Sequence, residues 1–161
     1  MNYKEILKEA QNNYQRNKAF LKKLKRRPGP GLDDRIHRLH EEIFQRADCL
    51  SCANCCITTG PMLTPKDIER ISKSLRMKPA AFIEQYLRVD EDGDYVFKSM
   101  PCTFLDGHNY CAIYEDRPKA CREYPHTDRK NMRQILDLTL RNSVICPAVY
   151  EIIEKLKREA G

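Results

Sequence analysis

Hydrophobic positions near the start of the chain recur at alternating steps of four and three residues. This spacing predicts one amphipathic helix over Met1–Arg27, with an apolar stripe on one face and lysines on the other. The stripe consists of Tyr3, Leu7, Ala10, Tyr14, Asn17, Leu21 and Leu24. A stripe of this kind usually packs against its own domain. The alternative is a surface for a protein partner or for self-association.

A proline- and glycine-rich segment, Arg27-Pro28-Gly29-Pro30-Gly31, ends this helix because neither residue type continues it. We therefore predict an N-terminal amphipathic helix with a Pro/Gly linker over residues 1–31. A cysteine-cluster metal-binding domain should then occupy residues 32–161. Its first helix should begin with Asp33 or Asp34 as the N-cap residue. The apolar stripe of that helix consists of Ile36, Leu39, Ile43 and Ala47.

The remaining pattern predicts two helices, then a group of short strands, and then three further helical segments. Thr64, Pro65 and Asp67 form a strong helix start, and Pro79 opens another helix. We predict a strand at residues 95–97 and a hairpin whose strands are 102–105 and 110–114. Helical segments are predicted at 117–122, 131–140 and 147–156. The fold class is therefore α+β and mostly helical, with helices around a small two- or three-stranded antiparallel sheet, organised by a cysteine-ligated metal centre.

Eight cysteines carry the candidate chemistry, and they fall into a compact group and a dispersed group of four each. The compact group has the form Cys49-x2-Cys52-x2-Cys55-Cys56, and the dispersed group is Cys102, Cys111, Cys121 and Cys146. A Cys-x2-Cys spacing lets one turn direct two sulfurs at the same ion. We predict that all eight cysteines are metal ligands.

The metal could be zinc or iron. Three cysteines at Cys-x2-Cys-x2-Cys spacing match the first three ligands of ferredoxin-type clusters, where a further cysteine precedes proline, as Cys146 precedes Pro147 here. This match favours an iron–sulfur cluster slightly over Zn²⁺. Adjacent side chains point in different directions, so Cys55 and Cys56 should not serve one ion together. The assignment of cysteines to one shared centre or to two separate centres stays open.

These blocks resemble the YkgJ-type cysteine-cluster family, whose signature is CxxCxxCC. The resemblance extends from Cys49 to Cys146 and includes the segments 102–105, 111–114 and 117–125. It implies a zinc- or iron-chelating domain whose metal is carried by all eight cysteines. It implies no particular reaction, and the first 31 residues lie outside it.

The expected cellular compartment and the net charge limit the kinds of partner that this protein could bind. The start of the chain lacks the apolar block of a signal peptide, and no segment is apolar enough for a bilayer, so we expect a cytoplasmic protein without a membrane partner. Reduced cytoplasmic thiols favour metal ligation over disulfides. The formal charge is +6, but thiolate ligands would lower it. That offset argues against a nucleic-acid partner, and we interpret the run from Lys22 to Arg27 as a solvated helix end.

Several histidines and arginines are candidates for further ligands or for stabilising charges at this site. His37 and His40 share a helical face that we expect to be solvated, and His126 is the best substitute ligand among the histidines. Arg117 and Arg122 flank Cys121, where they could either stabilise thiolates or pair with nearby carboxylates. The leading hypothesis is a metal-binding protein, which would be redox-active if its centre is an iron–sulfur cluster. The alternatives are a thiol or iron–sulfur oxidoreductase and a zinc-stabilised interaction module.

Overall fold

A computed structural model describes residues 2–161, and this part of the chain forms two compact units. The helical unit comprises the residues up to Cys49 together with Pro125–Gly161, and the cysteine unit comprises Leu50–Tyr124. The domain boundary that we predict after residue 31 stays a prediction. None of the helices in the described residues combines the length and the apolar composition that crossing a bilayer requires.

The helical unit contains five α-helices and one 3₁₀ turn within the described residues. They are α1 (Tyr3–Asn12), α2 (Tyr14–Arg26), α3 (Leu32–Phe44), a 3₁₀ turn (Met132–Ile135), α9 (Leu136–Ser143) and α10 (Pro147–Ala160). Their apolar faces meet in one core, in which residues such as Ile36, Leu39 and Ile152 are about 1% exposed. Burying such side chains is the main source of folding free energy.

The N-terminal helix is interrupted at Asn13, where we had predicted one continuous helix. Its predicted first residue, Met1, lies outside the described residues. Asparagine is a poor helix former, and Asn13 has φ −93° and ψ 3°. The Asn13 amide Nδ2 donates to the hydroxyl of Tyr150 at 2.9 Å, so the interruption ties this segment to α10.

The predicted apolar stripe lies inside the helical unit. Ala10, Asn17, Leu21 and Leu24 are all buried, and Asn17 accepts a hydrogen bond from Lys157 Nζ at 2.7 Å. Packing within the chain therefore accounts for the stripe, and nothing about it supports an unpartnered association surface.

The start of α3 differs from the prediction that Asp33 or Asp34 is its N-cap. Gly31 occupies that position with φ +64°, a left-handed conformation that glycine adopts without steric penalty. Asp33 lies in the first turn instead, where its carboxylate accepts from the backbone N–H groups of Asn131 and Met132 at 2.8 and 2.9 Å. The glycine frees this carboxylate to bind a second segment.

The cysteine unit is built from short elements around a small sheet. They are α4 (Cys49–Cys52, which begins one residue before the unit), α5 (Asn54–Thr58), β1 (Met62–Leu63), α6 (Pro65–Ser74), α7 (Pro79–Tyr86), β2 (Leu87–Val89), β3 (Tyr95–Phe97), a 3₁₀ turn (Tyr114–Asp116) and α8 (Lys119–Glu123). The sheet is antiparallel in the order β1-β3-β2, with Met62 opposite Val96 and Leu87 opposite Phe97. A second core contains Ile71, Phe82 and Phe104.

The mostly helical α+β class with a three-stranded antiparallel sheet is confirmed. Its organisation by a metal centre stays a prediction. The strand at 95–97 is also confirmed. The predicted hairpin over 102–114 is wrong as a pair of strands, because it keeps one bridge, Leu105 to Cys111, and then turns into a 3₁₀ helix. Asp106 explains the early turn, since its Oδ1 accepts from the backbone N–H groups of His108 and Tyr110.

Asp67 holds the cysteine unit together at the start of α6. The predicted helix start is a full capping box, in which the Thr64 hydroxyl accepts from the Asp67 N–H and Asp67 accepts from the Thr64 N–H at 2.8 Å. Asp67 also accepts from Arg70 at 2.7 Å and from the Lys119 N–H at 3.1 Å. Burial acts to raise the pKa of this carboxyl, but these donors outweigh it and lower the pKa.

Replacement of a buried residue on α2 tests whether the N-terminal segment belongs to the core. Leu21→Ala should lower the free energy of unfolding by about 2–4 kcal/mol, because it leaves a cavity beneath α2. Lys18→Ala on the exposed face of the same helix should change it by less than about 0.5 kcal/mol. Urea unfolding followed by circular dichroism measures both. Equal small effects would mean that α2 is detached from the core.

Replacement of Asp67 tests the capping network and its pH dependence. Asp67→Asn should destabilise the cysteine unit by about 1–3 kcal/mol at neutral pH, because it removes a charged acceptor from several donors. The ionised form stabilises the fold fully above the unfolded pKa of about 3.9, and this contribution is lost as the pH falls through the lower folded pKa. The difference between the wild type and the variant should therefore shrink in acid. A difference that is constant with pH would contradict this assignment.

Candidate metal centre

The compact cysteine group lies on two very short helices. Helix α4 ends at Cys52 and α5 contains Cys55 and Cys56. Ala53 separates the two helices with φ +47°, which is an uncommon conformation for a residue other than glycine, and it is nevertheless buried. The left-handed residue lets the chain reverse within one position, so that successive cysteines are presented from two different helical turns.

Backbone hydrogen bonds bring part of the dispersed group to this segment. The N–H of Cys102 donates to the carbonyl of Cys56 at 2.9 Å. The single bridge between Leu105 and Cys111, with an Ala112 N–H to Phe104 carbonyl bond of 2.7 Å, then folds Cys111 back beside Cys102. The side chains of Cys102 and Cys111 also pack against the second core. Three cysteines that are far apart in sequence are thus held in one region.

Four sulfurs of the cysteine unit interact electrostatically in all of their pairs. Desolvation is the largest influence on Cys102, Cys111 and Cys121, and it raises the pKa of each thiol. The neighbouring sulfurs raise these pKa values further, Cys56 being among the neighbours of all three. Like charges that share a site favour the neutral form. Cys56, Cys102, Cys111 and Cys121 therefore form one cluster, which we call the four-thiol cluster.

Cys121 has the strongest shift in the cluster. The residue as a whole is exposed on α8, but the protein atoms around its sulfur and then the other three sulfurs raise the pKa of its thiol to about 12. Without a compensating cation, this thiol stays protonated at neutral pH. A bound cation would reverse the balance, because it replaces repulsion among thiolates by attraction to the ion.

Backbone amides point at two of these sulfurs. The N–H groups of Phe104 and Leu105 donate to the Cys102 sulfur, and the N–H of Ile113 donates to the Cys111 sulfur. Each bond lowers the pKa of the thiol that accepts it, against the larger effect of desolvation. Amide donors of this kind stabilise thiolates and tune metal–sulfur centres. The sequence analysis missed them, although the donors lie two or three residues after each cysteine.

Arg117 adds positive charge to the cluster. Its charge lowers the pKa values of Cys111 and Cys121, where it is the smallest of the influences. The guanidinium lies 3.9 Å from the centre of the Tyr114 ring and donates to the Tyr114 carbonyl at 2.7 Å, which holds it in place. Of the two arginines that flank Cys121 in the sequence, Arg117 lowers the pKa values of these thiols. Arg122 has no such effect on any of these three thiols.

Cys56 differs from the rest of the cluster because its neighbour Cys55 donates a hydrogen bond to it. This bond lowers the pKa of the Cys56 thiol to about 7, against the opposing effect of burial. The Cys55 thiol thus donates to the Cys56 sulfur, and Cys56 is also a neighbour of Cys102, Cys111 and Cys121. The expectation that Cys55 and Cys56 do not serve one ion together stays a prediction.

The other three predicted ligands are Cys49, Cys52 and Cys146. Cys49 is exposed and belongs to the helical unit, and Cys52 is half-buried at the end of α4. Cys146 is the N-cap residue of α10 and packs against the helical core. As the described side chains are arranged, no group of three or more cysteine, histidine, aspartate or glutamate residues could hold a metal ion. The eight-ligand set therefore stays a prediction.

Two of the candidate histidines bind the chain itself. His37 Nε2 donates to the Arg129 carbonyl at 2.7 Å, and His40 Nδ1 is hydrogen-bonded to the buried Thr127 hydroxyl at 2.7 Å. Their face is therefore occupied by the segment that precedes α9, instead of being solvated as predicted. Burial lowers the pKa of His40, which favours its neutral form in this contact.

Comparison with known proteins gives one match. A family model described as "CxxCxxCC: Putative zinc- or iron-chelating domain" matches residues 48–146, which is more than half of the chain and contains all eight cysteines. No curated protein and no solved structure matches this chain.

Alkylation of the metal-free, reduced protein tests the Cys55–Cys56 pair. Thiolates are the reactive species, so the alkylation of Cys56 should rise with a midpoint near pH 7, the pKa of about 7 given by the Cys55 bond. Cys55→Ala removes the donor and should move the midpoint towards about 8.5. Cys55→Ser keeps a donor and should move it much less. Mass spectrometry of iodoacetamide-treated peptides measures the midpoint, and identical shifts in both variants would refute the hydrogen bond.

Proposed function

The chain belongs to the CxxCxxCC family of zinc- or iron-chelating domains, and from this premise we propose that the four-thiol cluster binds one zinc or iron centre. The ligands are Cys56, Cys102, Cys111 and Cys121. The observation that carries the proposal is the electrostatic interaction among all four sulfurs within one unit. Four thiolates are a complete ligand set for tetrahedral zinc or for an iron–sulfur cluster.

The free energy needed to ionise the four clustered thiols is the first support for this proposal. Burial raises the free energy of the ionised thiols, and the proximity of the four sulfurs adds to the effect. A divalent cation or a cationic cluster offsets that energy. Binding would release the protons held by Cys102, Cys111 and Cys121, so the affinity for metal should fall as the pH falls.

Preorganised donors are the second support. The amides of Phe104, Leu105 and Ile113 and the guanidinium of Arg117 all favour thiolate forms. They would stabilise the net negative charge of a tetrathiolate centre. Because the sulfurs are near one another without forming a metal-holding group, the ligand shell would close when the metal binds. Metal binding and local folding are commonly coupled in this way in small metal domains.

The remaining cysteines enter the proposal on the sequence pattern alone. Cys49, Cys52, Cys55 and Cys146 are retained as ligands because the Cys-x2-Cys-x2-Cys run and the Cys-Pro pair match ferredoxin-type ligation. This pattern favours an iron–sulfur cluster only slightly over zinc. An iron–sulfur centre would supply electron transfer or redox sensing, whereas zinc with four thiolates would be structural. Such thiolates need a reducing compartment, and we propose the cytoplasm.

A thiol oxidoreductase is the second candidate function. The lowered pKa of Cys56, beside the Cys55 thiol, is the observation that favours it, since a thiolate near neutral pH is the reactive form in disulfide exchange. The two candidates differ in the state of Cys56. A metal ligand is protected from alkylation, whereas a catalytic thiol reacts readily.

Removal of single ligands tests the proposal. Anaerobically purified wild-type protein should contain zinc or iron by mass spectrometry, and a brown colour would identify the cluster. Cys102→Ser, Cys111→Ser and Cys121→Ser should each lose the same centre, because a hard hydroxyl replaces a soft thiolate. If the other cysteines hold a second centre, these variants keep its metal, and Cys52→Ser loses that metal instead.

Matched measurements keep this test decisive. Circular dichroism of the metal-free forms establishes that each serine variant folds as the wild type does. A folded anaerobic wild type without zinc or iron, whose thiols all alkylate, would refute metal binding. Normal metal content in Cys121→Ser would refute this ligand set and leave the family function standing.

A further inference from the structure

Charge is distributed unevenly between the two units. The helical unit contains 19 lysines and arginines against 12 aspartates and glutamates, whereas the cysteine unit contains 10 against 11. The helical unit therefore has a formal charge of +7 and the cysteine unit −1. Six of the eight cysteines belong to the cysteine unit, so thiolate ligation there leaves the basic charge of the helical unit almost unchanged. The negative charge of the thiolate ligands therefore does not neutralise the helical unit, and it no longer argues against a polyanionic partner of that unit.

The basic charge is concentrated on α2. Between Ala10 and Leu32 the sequence has no acidic residue and seven basic ones. Six of these are exposed and have no carboxylate partner among the described residues: Arg16 lies in the first turn of α2, and five follow within ten positions up to the C-cap, namely Lys18, Lys22, Lys23, Arg26 and Arg27. Lys25 is the exception, since it pairs with Asp137 at 2.6 Å. We call these five residues the basic face.

Helical spacing arranges the basic face in a row. Lys18, Lys22 and Arg26 follow one another at four-residue intervals, which corresponds to about 6 Å per step along the helix axis. Like charges at this spacing destabilise a helix. Interaction with the helix dipole favours cations in the last turn only, which explains Arg26 but leaves Lys18 and Lys22 unexplained.

We propose that the basic face binds the phosphate backbone of a nucleic-acid duplex without reading its sequence. A duplex carries one negative charge for about each 1.7 Å of its axis, so a row of cations on one rigid helix meets a phosphate at every step. The opposite side of α2 is anchored by Leu21 and Leu24 in the helical core, which holds the row straight.

The residue types of the basic face favour a nucleic-acid duplex as its partner over a single strand or a membrane surface. Single strands are bound through aromatic stacking, and the basic face has no aromatic residue. Stable attachment to a membrane surface needs an apolar or lipid anchor besides basic charge. All of the exposed large hydrophobic residues of the described chain lie in the cysteine unit, so the basic face has nothing to insert.

Salt-dependent binding of a fluorescent DNA duplex of about 20 base pairs, followed by anisotropy, tests the proposal. Five phosphate contacts predict a slope of log K against log salt of about −4.5, or about a 500-fold loss of affinity between about 50 and about 200 mM salt. The combined variant Lys22→Gln, Lys23→Gln and Arg26→Gln should retain a slope of about −1.8, and its affinity near 100 mM salt should be lower by about 100-fold. Glutamine keeps the helix propensity.

A control variant with the same change in net charge distinguishes binding by the basic face from a general effect of positive charge. Lys66→Gln, Lys73→Gln and Lys78→Gln together remove three exposed cations of the cysteine unit and should change affinity by less than about twofold. Equal losses in both triple variants, or no binding by the wild type at about 50 mM salt, would overturn the proposal. Tighter binding to a single strand, or to vesicles that contain phosphatidylserine, would replace the duplex as the partner.

Discussion

Burial of the thiols of Cys102, Cys111 and Cys121 close to one another and to Cys56 is the constraint on which the cysteine unit depends. Desolvation and mutual charge raise the pKa values of three of these thiols, so their ionised forms are disfavoured where the fold places them. Hydrophobic burial opposes this cost, because Cys102 and Cys111 are attached to a core that contains Phe82 and Phe104. A cation would turn the same proximity from a cost into a stabilising interaction.

The scaffold that maintains this proximity is small and depends on polar links. The sheet has strands of two or three residues, which are too short to be stable alone. Asp67 compensates by joining the start of α6 to Arg70 and to the first residue of α8, the helix that carries Cys121. The Cys102–Cys56 backbone bond joins the other two segments. The hydrogen bonds that hold the four-thiol cluster together are therefore the same ones that stabilise the cysteine unit.

Local chemistry made much of this fold predictable. The capping box at Thr64, the helix that begins at Pro147 and the strand at 95–97 follow from residue types that act within a few positions. The break at Asn13 and the glycine cap at Gly31 were missed because they depend on distant partners, Tyr150 in one case and the Asn131 segment in the other. The hairpin was overestimated because Asp106 closes the turn with its side chain, which leaves one bridge instead of a ladder.

The sequence indicates which residues could form the candidate site, but it does not indicate which of them lie close together. Spacing identifies the compact cysteine group, yet Cys56 interacts with cysteines that are 46 to 65 residues away, and no short-range signal reports that. The adjacency of Cys55 and Cys56 was the one local indication, since neighbouring side chains on a helix diverge. Cys56 has two kinds of sulfur neighbour, since Cys55 donates a hydrogen bond to it and Cys102, Cys111 and Cys121 interact with it electrostatically. A doubled cysteine therefore lets one short helix place a hydrogen-bond donor beside a thiol that also interacts with cysteines far away in the sequence.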